Sequence, residues 1–186
     1  MSYDAIVFDM DGVLLTGYHT DRDVYRRAAV EALADFDAQI SQPPPQLIDP
    51  DEASQVRRLC SDLDLPPNSF WGYREHASTA LENDQIAEAK REPFDDVDVL
   101  ETLSAKYRIG IVSNNRHGTV RFVVSHFGWD SSIDSFYGRY PTLQGYDRMK
   151  PNPYYLQKIL TEERVQPEDV LFIGDRQSDV LTGHRL

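Results

Sequence analysis

The chain has 186 residues and a mass of 21.3 kDa, a length that fits one domain or one domain carrying an insertion. Hydrophobic residues make up 40% and charged residues 27%, ordinary globular usage that excludes a fibrous repeat and wholesale disorder. A net charge of −12 disfavours nucleic acid and anionic membranes as partners, no apolar run is long enough to span a bilayer, and the single Cys60 excludes an internal disulfide.

In chain order, Ala5-Ile6-Val7-Phe8 is a short apolar run of β-formers that stops at Asp9 and is followed by Gly12, which predicts a buried strand ending in a loop. Residues 21–36 carry Val24, Ala28 and Leu33 at helical spacing. Pro43-Pro44-Pro45 predicts a loop, and helices are expected over residues 51–63 and 70–90, separated by Pro66-Pro67. Beyond Pro93 the pattern alternates. Helices are expected over 97–107, 119–127 and 153–161, and strands over 108–112, 135–137 and 170–173. Alternating strands and helices argue for a parallel sheet. The all-helical stretch from 17 to 93 separates the first strand from the rest, so it reads as an insertion. The sequence ends just after the helix following the last strand begins. That leaves an apolar strand at an edge, which calls for further chain or a second copy to cover it.

The N-terminal residues Met1-Ser2-Tyr3-Asp4 lack the basic start and long apolar stretch of a signal peptide, so a cytoplasmic location is expected. Asp outnumbers Glu by 21 to 10, and Arg outnumbers Lys by 15 to 4. An Asp-rich, Lys-poor surface is similar to that of proteins from salt-loving organisms.

Ligands of open parallel sheets bind beyond the carboxyl ends of the strands. Those ends carry Asp9-Met10-Asp11-Gly12, then Ser113-Asn114-Asn115, and finally Gly174-Asp175-Arg176-Gln177-Ser178-Asp179; Lys150-Pro151-Asn152 precedes a helix. The D-x-D pattern alone carries no weight, because it recurs at Asp21/Asp23, Asp35/Asp37, Asp49/Asp51, Asp62/Asp64 and Asp96/Asp98. Only Asp9/Asp11 directly follows a buried strand and precedes a glycine. An EF-hand loop is excluded, since its sixth position would be Leu14 and its twelfth Thr20. The signal is the ordered set of four blocks at strand ends and a helix start.

The chemistry of these residues is coherent. A carboxylate can form a covalent intermediate and divide a hard hydrolysis into two steps. Several acids at one site repel each other and a phosphate, and a hard cation with oxygen ligands, Mg²⁺ above all, resolves that repulsion. Lys150 supplies a point charge for phosphate oxygens, and the Ser113 hydroxyl and the N–H groups of the turn after it donate to the same oxygens. The five histidines show no metal-ligand pairing, and Cys60, Phe70, Trp71 and Tyr73 are expected to pack within the helical stretch.

The four blocks resemble the motifs of the haloacid dehalogenase-like (HAD) hydrolases, over nearly the whole chain, with the helical stretch in the place of a C1-type cap. The resemblance implies an α/β fold: a Rossmann-like three-layer parallel-sheet core of residues 1–16 and 94–186, with an inserted α-helical cap of residues 17–93. It implies Asp9 as nucleophile and Asp11 as general acid and base. Ser113, Asn114 and Lys150 would bind the phosphoryl group, and Asp9, Asp11 (through its main-chain carbonyl), Asp175 and Asp179 would form a Mg²⁺ site. The expected activity is hydrolysis of a small phosphorylated metabolite through an aspartyl-phosphate. Phosphosugar mutation, and a non-catalytic phosphate-binding or regulatory domain, remain alternatives. Asp11 argues against dehalogenation, whose enzymes lack a second acid two residues after the nucleophile. Arg176 departs from the family pattern, where many relatives carry a small residue. It is expected to pair with a carboxylate of the helical stretch or to contact substrate.

Overall fold

The first strand, β1 (Ala5–Phe8), is apolar on both faces because the sheet is covered on both faces. In the computed structural model, which describes residues 3–186 apart from 18, 39 and 41, Ile6 and Phe8 point into one cluster and Val7 into another. The expectation drawn from Met1 and Ser2 lies outside the described residues. Four helices follow: α1 (Arg22–Asp35), α2 (Pro45–Ile48), α3 (Ala53–Asp62) and α4 (Pro67–Ala87). Then come α5 (Val99–Ser104), β2 (Arg108–Arg116), α6 (His117–His126), β3 (Ser135–Arg139), α7 (Leu143–Asp147), α8 (Tyr154–Glu163), β4 (Val170–Ile173) and α9 (Gln177–Gly183).

The four strands form one parallel sheet in the order β3-β2-β1-β4. Val7 stands opposite Gly110 on one side and Phe172 on the other, so β1 is central and β4 is an edge strand, half-buried along its length. One face packs Ile6, Phe8, Ile109 and Ile111 against Leu100 of α5 and Val120, Val123 and Val124 of α6. The opposite face packs Val7 and Val112 against Tyr155, Leu156 and Ile159 of α8. Gly110 is needed for that second contact: a Cβ there would stand 2.9 Å from Ile159 Cδ1.

The helices between β1 and β2 have their own apolar cluster, with Ala32 and Leu33 of α1, Val56 and Cys60 of α3, and Phe70 and Trp71 of α4, joined by Leu143 of α7. Cys60, Phe70 and Trp71 are fully buried there, as their spacing predicts. The two connectors into this region run side by side: Thr16 N–H donates to Glu92 O at 2.8 Å, and Leu15 bridges Pro93. Among the described residues no helix is long and apolar enough to cross a membrane.

Three sequence expectations need correction. Pro45 does not lie in a loop; it opens the short α2, where a missing N–H costs nothing at a first helical position. Likewise α4 starts at Pro67, three residues earlier than periodicity suggests, and ends at Ala87. Ser113, Asn114 and Asn115 do not follow β2 but lie within it, in an irregular stretch where the register with β3 shifts between Val112 and Arg116.

Candidate active site

β1 delivers Asp9 to the carboxyl edge of the sheet, where its N–H donates to Ile173 O at 2.8 Å. The loop that follows is tight. The N–H groups of Leu14 and Leu15 both donate to Met10 O at 2.9 Å, and Gly12 adopts a φ of 83°, a left-handed conformation that favours glycine. The Asp9 carboxylate is 4% exposed and accepts from the Met10 N–H at 2.7 Å.

Lys150 lies across the floor of the site. Its Nζ donates to Val112 O at 3.0 Å and stands 2.9 Å from Asp9 Oδ1 and 2.6 Å from Asp179 Oδ1. Asn114 positions it through the backbone: Asn114 Nδ2 donates to Lys150 O at 3.0 Å, and Lys150 N–H donates to Asn114 Oδ1 at 2.7 Å. The Lys150-Pro151 peptide is cis. Burial pushes the Asp9 carboxyl up to about 6, with Lys150 pulling it back down and Asp179 adding to the rise.

Asp179, in the first turn of α9, is buried and accepts from Arg176 N–H at 2.9 Å. It fits because residue 174 is glycine; a Cβ there would stand 2.4 Å from the Asp179 side chain. Asp9, Asp175 and Asp179 each offer a carboxylate oxygen within 4.8 Å of the others. An all-oxygen donor set of this kind suits a hard divalent cation.

The carboxylate of Asp11 is not part of that triad. It takes Arg91 Nη2 at 2.6 Å, the Ser113 hydroxyl at 3.3 Å and Asn115 Nδ2 at 3.2 Å. Ser113 Oγ also accepts from the Asn115 N–H at 3.0 Å. The seven residues expected from the sequence (Asp9, Asp11, Ser113, Asn114, Lys150, Asp175 and Asp179) therefore converge on one place. The Asn114 side chain is spent on the Lys150 backbone and not free for a ligand.

Sequence reasoning missed the groups behind this first layer. Arg91, on the returning connector, donates to Thr16 O and Gly17 O as well as to Asp11, and its Nη1 reaches Glu82 Oε1 at 2.8 Å. Glu82 of α4 also pairs with Arg116 at the end of β2 and accepts from Thr20 Oγ1 at 2.9 Å. Two turns earlier on the same face of α4, Glu75 takes Arg139, at the end of β3, through Nε at 2.8 Å and Nη2 at 3.1 Å, and pairs with Arg74. Tyr25 of α1 lies among Arg74, Arg116 and Arg139. Burial alone would raise its hydroxyl, but the three guanidiniums hold it down at about 8. A signal for this was available: Trp71, Glu75, Ser78, Glu82 and Ile86 share one helical face of α4, and all five are buried.

These groups enclose a cavity of about 420 Å³ lined by Asp9, Asp11, Ser113 and Lys150 together with Tyr25, Arg139 and Tyr146. His19 and Arg176 also line it, whereas His117 is half-buried and stacked on Phe136. Arg176 makes no ion pair with a carboxylate among the described residues.

The model of the haloacid dehalogenase-like hydrolases matches residues 3–186. The pyrophosphatase PpaX of Anoxybacillus flavithermus is 25% identical over 196 residues, covering 98% of this chain and 80% of its own. PpaX of Oceanobacillus iheyensis is also 25% identical, over 198 residues, covering 100% and 80%. In fold the chain is similar to CbbY from Rhodobacter sphaeroides, solved in complex with phosphate, with a TM-score of 0.65 at 18% identity over 98% of this chain and 82% of that one. It is similar too to a HAD-superfamily hydrolase of Geobacter sulfurreducens, with a TM-score of 0.63 at 19% identity, covering 98% and 85%. Together with the parallel sheet and the motif residues gathered at its carboxyl edge, the match over residues 3–186 makes this chain a member of the haloacid dehalogenase-like hydrolases.

Proposed function

We propose that the protein is a phosphatase that hydrolyses a small phosphorylated metabolite through an aspartyl-phosphate on Asp9. The observation that carries this reading is the buried Lys150 ammonium held 2.9 Å from Asp9 Oδ1 and 2.6 Å from Asp179 Oδ1 in the lining of the cavity. Such a group balances an attacking carboxylate and an incoming phosphate in one place. The names of the PpaX relatives and the phosphate bound to CbbY agree with it.

In this scheme Asp9 attacks phosphorus, and Asp11 gives its proton to the departing alkoxide. Asp11 then takes a proton from the water that cleaves the acyl phosphate, which returns Asp9 as a carboxylate and releases inorganic phosphate. Lys150 and the Ser113 hydroxyl hold the phosphoryl oxygens, and Asn114 fixes the Lys150 backbone. Asp9, Asp175 and Asp179, with the main-chain carbonyl of Asp11, would hold Mg²⁺. When bound, the cation neutralises charge on the phosphoryl oxygens. Residues 17–93 act as a cap over a core of residues 1–16 and 94–186. The protein works in the cytoplasm, and its acidic surface is an adaptation to salt.

Asp9→Asn tests the central role, because the amide nearly matches the carboxylate in shape but cannot form the intermediate. Turnover of an aryl phosphate in Mg²⁺ should vanish while the melting temperature stays within a few degrees; wild-type turnover in Asp9→Asn would overturn the reading. Raising NaCl to molar concentration should raise the melting temperature by screening the net charge of −12, and a flat or falling curve would remove the salt adaptation.

A further inference from the structure

We propose that Arg22 and Arg176 clamp a second anionic group on the substrate, so that the preferred substrate is a small phosphoester carrying a carboxylate or a second phosphate; this rests on the phosphatase reading above. The two arginines belong to different parts of the fold. Arg22 is the first residue of α1, and Arg176 lies on the loop between β4 and α9. Both line the cavity of about 420 Å³ that Asp9 and Lys150 also line, and both are exposed.

Their freedom sets them apart from the other cations of that cavity. Arg139 is held by both oxygens of Glu75 and by Asn114 O. Lys150 is held by Asp9, Asp179 and Val112 O. Neither Arg22 nor Arg176 has a carboxylate within ion-pair distance among the described residues. Carboxylates are at hand in this chain of 31 acids and 19 bases, and some exposed cations do pair, Arg26 with Asp23 and Lys90 with Glu88. Of the acids lining the cavity, Asp9 and Asp11 are already paired, and Asp49 is exposed.

Their backbones are also fixed. The Arg176 N–H donates to Asp179 Oδ2 at 2.9 Å, and Asp179 in turn touches Lys150, so Arg176 sits a set step from the phosphoryl end. Arg22 follows Asp21, whose carboxylate caps α1 through the Asp23 N–H at 2.9 Å. A planar guanidinium matches the two-oxygen edge of a carboxylate or phosphate. A phosphoester bound at Lys150 would form an ion pair with these guanidiniums only through a second anion of its own.

The inference is tested by binding, without turnover, on Asp9→Asn protein in Mg²⁺. Calorimetry compares three probes of equal chain length: an uncharged alkyl phosphate, a carboxyalkyl phosphate and an alkane bisphosphate. At least one two-anion probe should bind about tenfold tighter than the alkyl phosphate, and which one does separates carboxylate from phosphate as the second group. Arg22→Ala and Arg176→Ala should each erode that preference, the double variant should erase it, and alkyl phosphate affinity should not move. Equal affinities for the three probes, no binding of any, or a preference that survives the double variant would overturn the clamp. If the preference follows the arginines but the wild type turns over no phosphoester, the clamp stands and the phosphatase reading fails.

Discussion

The sheet and the helices inserted after β1 solve opposite problems. The sheet buries apolar strands and exposes its chemistry towards their carboxyl edge, where Asp9 and Asp175 follow β1 and β4 and Ser113 lies in the irregular last part of β2. The inserted helix α4 instead buries charge along a whole face, with Glu75 and Glu82 paired to arginines at the ends of β3 and β2. Removing a carboxylate from a buried pair strands the guanidinium left behind. The lesson is that the first region keeps its acids for a ligand, while the second spends its acids on holding the helices to the sheet.

The largest effect should therefore come from α4. Glu82→Ala leaves Arg116 and Arg91 without their shared partner and should cost about 3–5 kcal/mol of stability by chemical denaturation. Glu88→Ala, at the exposed C-cap of the same helix and paired with Lys90, should leave the melting temperature unchanged. Equal effects of the two would break the comparison.

Next comes the join between the regions. Arg91 touches both connectors and the Asp11 carboxylate, so it positions the proposed general acid. Arg91→Ala should lower kcat about ten- to a hundredfold for an alkyl phosphate, within the range that general acid help supplies. An aryl phosphate, which leaves without a proton, should lose much less. An equal loss on both would make Arg91 merely structural.

The smallest effect is a pH dependence. Burial alone would raise Glu75, but Arg139 and Arg74 hold it at about 2, below its ordinary value of 4.5. A depressed carboxyl contributes stability that is full above its unfolded value and is lost as pH falls through the folded one. The stability advantage of wild type over Glu75→Gln should therefore shrink as pH falls from about 4.5 towards 2. A constant difference across that window would mean the pair is not ionised as described.

What was legible in the sequence follows the same division. Local apolar runs located all four strands, and β4 matches residue for residue, because a buried parallel strand writes its pattern in consecutive residues. The motif acids and Lys150 were legible because each sits at a strand end or helix start. Arg91, Glu82, Arg116 and Arg139 were not: Arg91 lies 80 residues from Asp11, Arg116 34 from Glu82 and Arg139 64 from Glu75, and a lone charge reads as a solvated one. The helix α7 escaped because its five residues are too few to show a period.

The central claim is that Asp9 carries the phosphoryl group between two half-reactions. Peptide mass spectrometry after acid quenching during turnover, with wild type and Asp9→Asn side by side, tests it most directly. The account expects phosphoryl mass on the wild-type peptide containing Asp9 and on no peptide of the variant. Phosphoryl mass on another residue, or turnover by both proteins with none on Asp9, would contradict it.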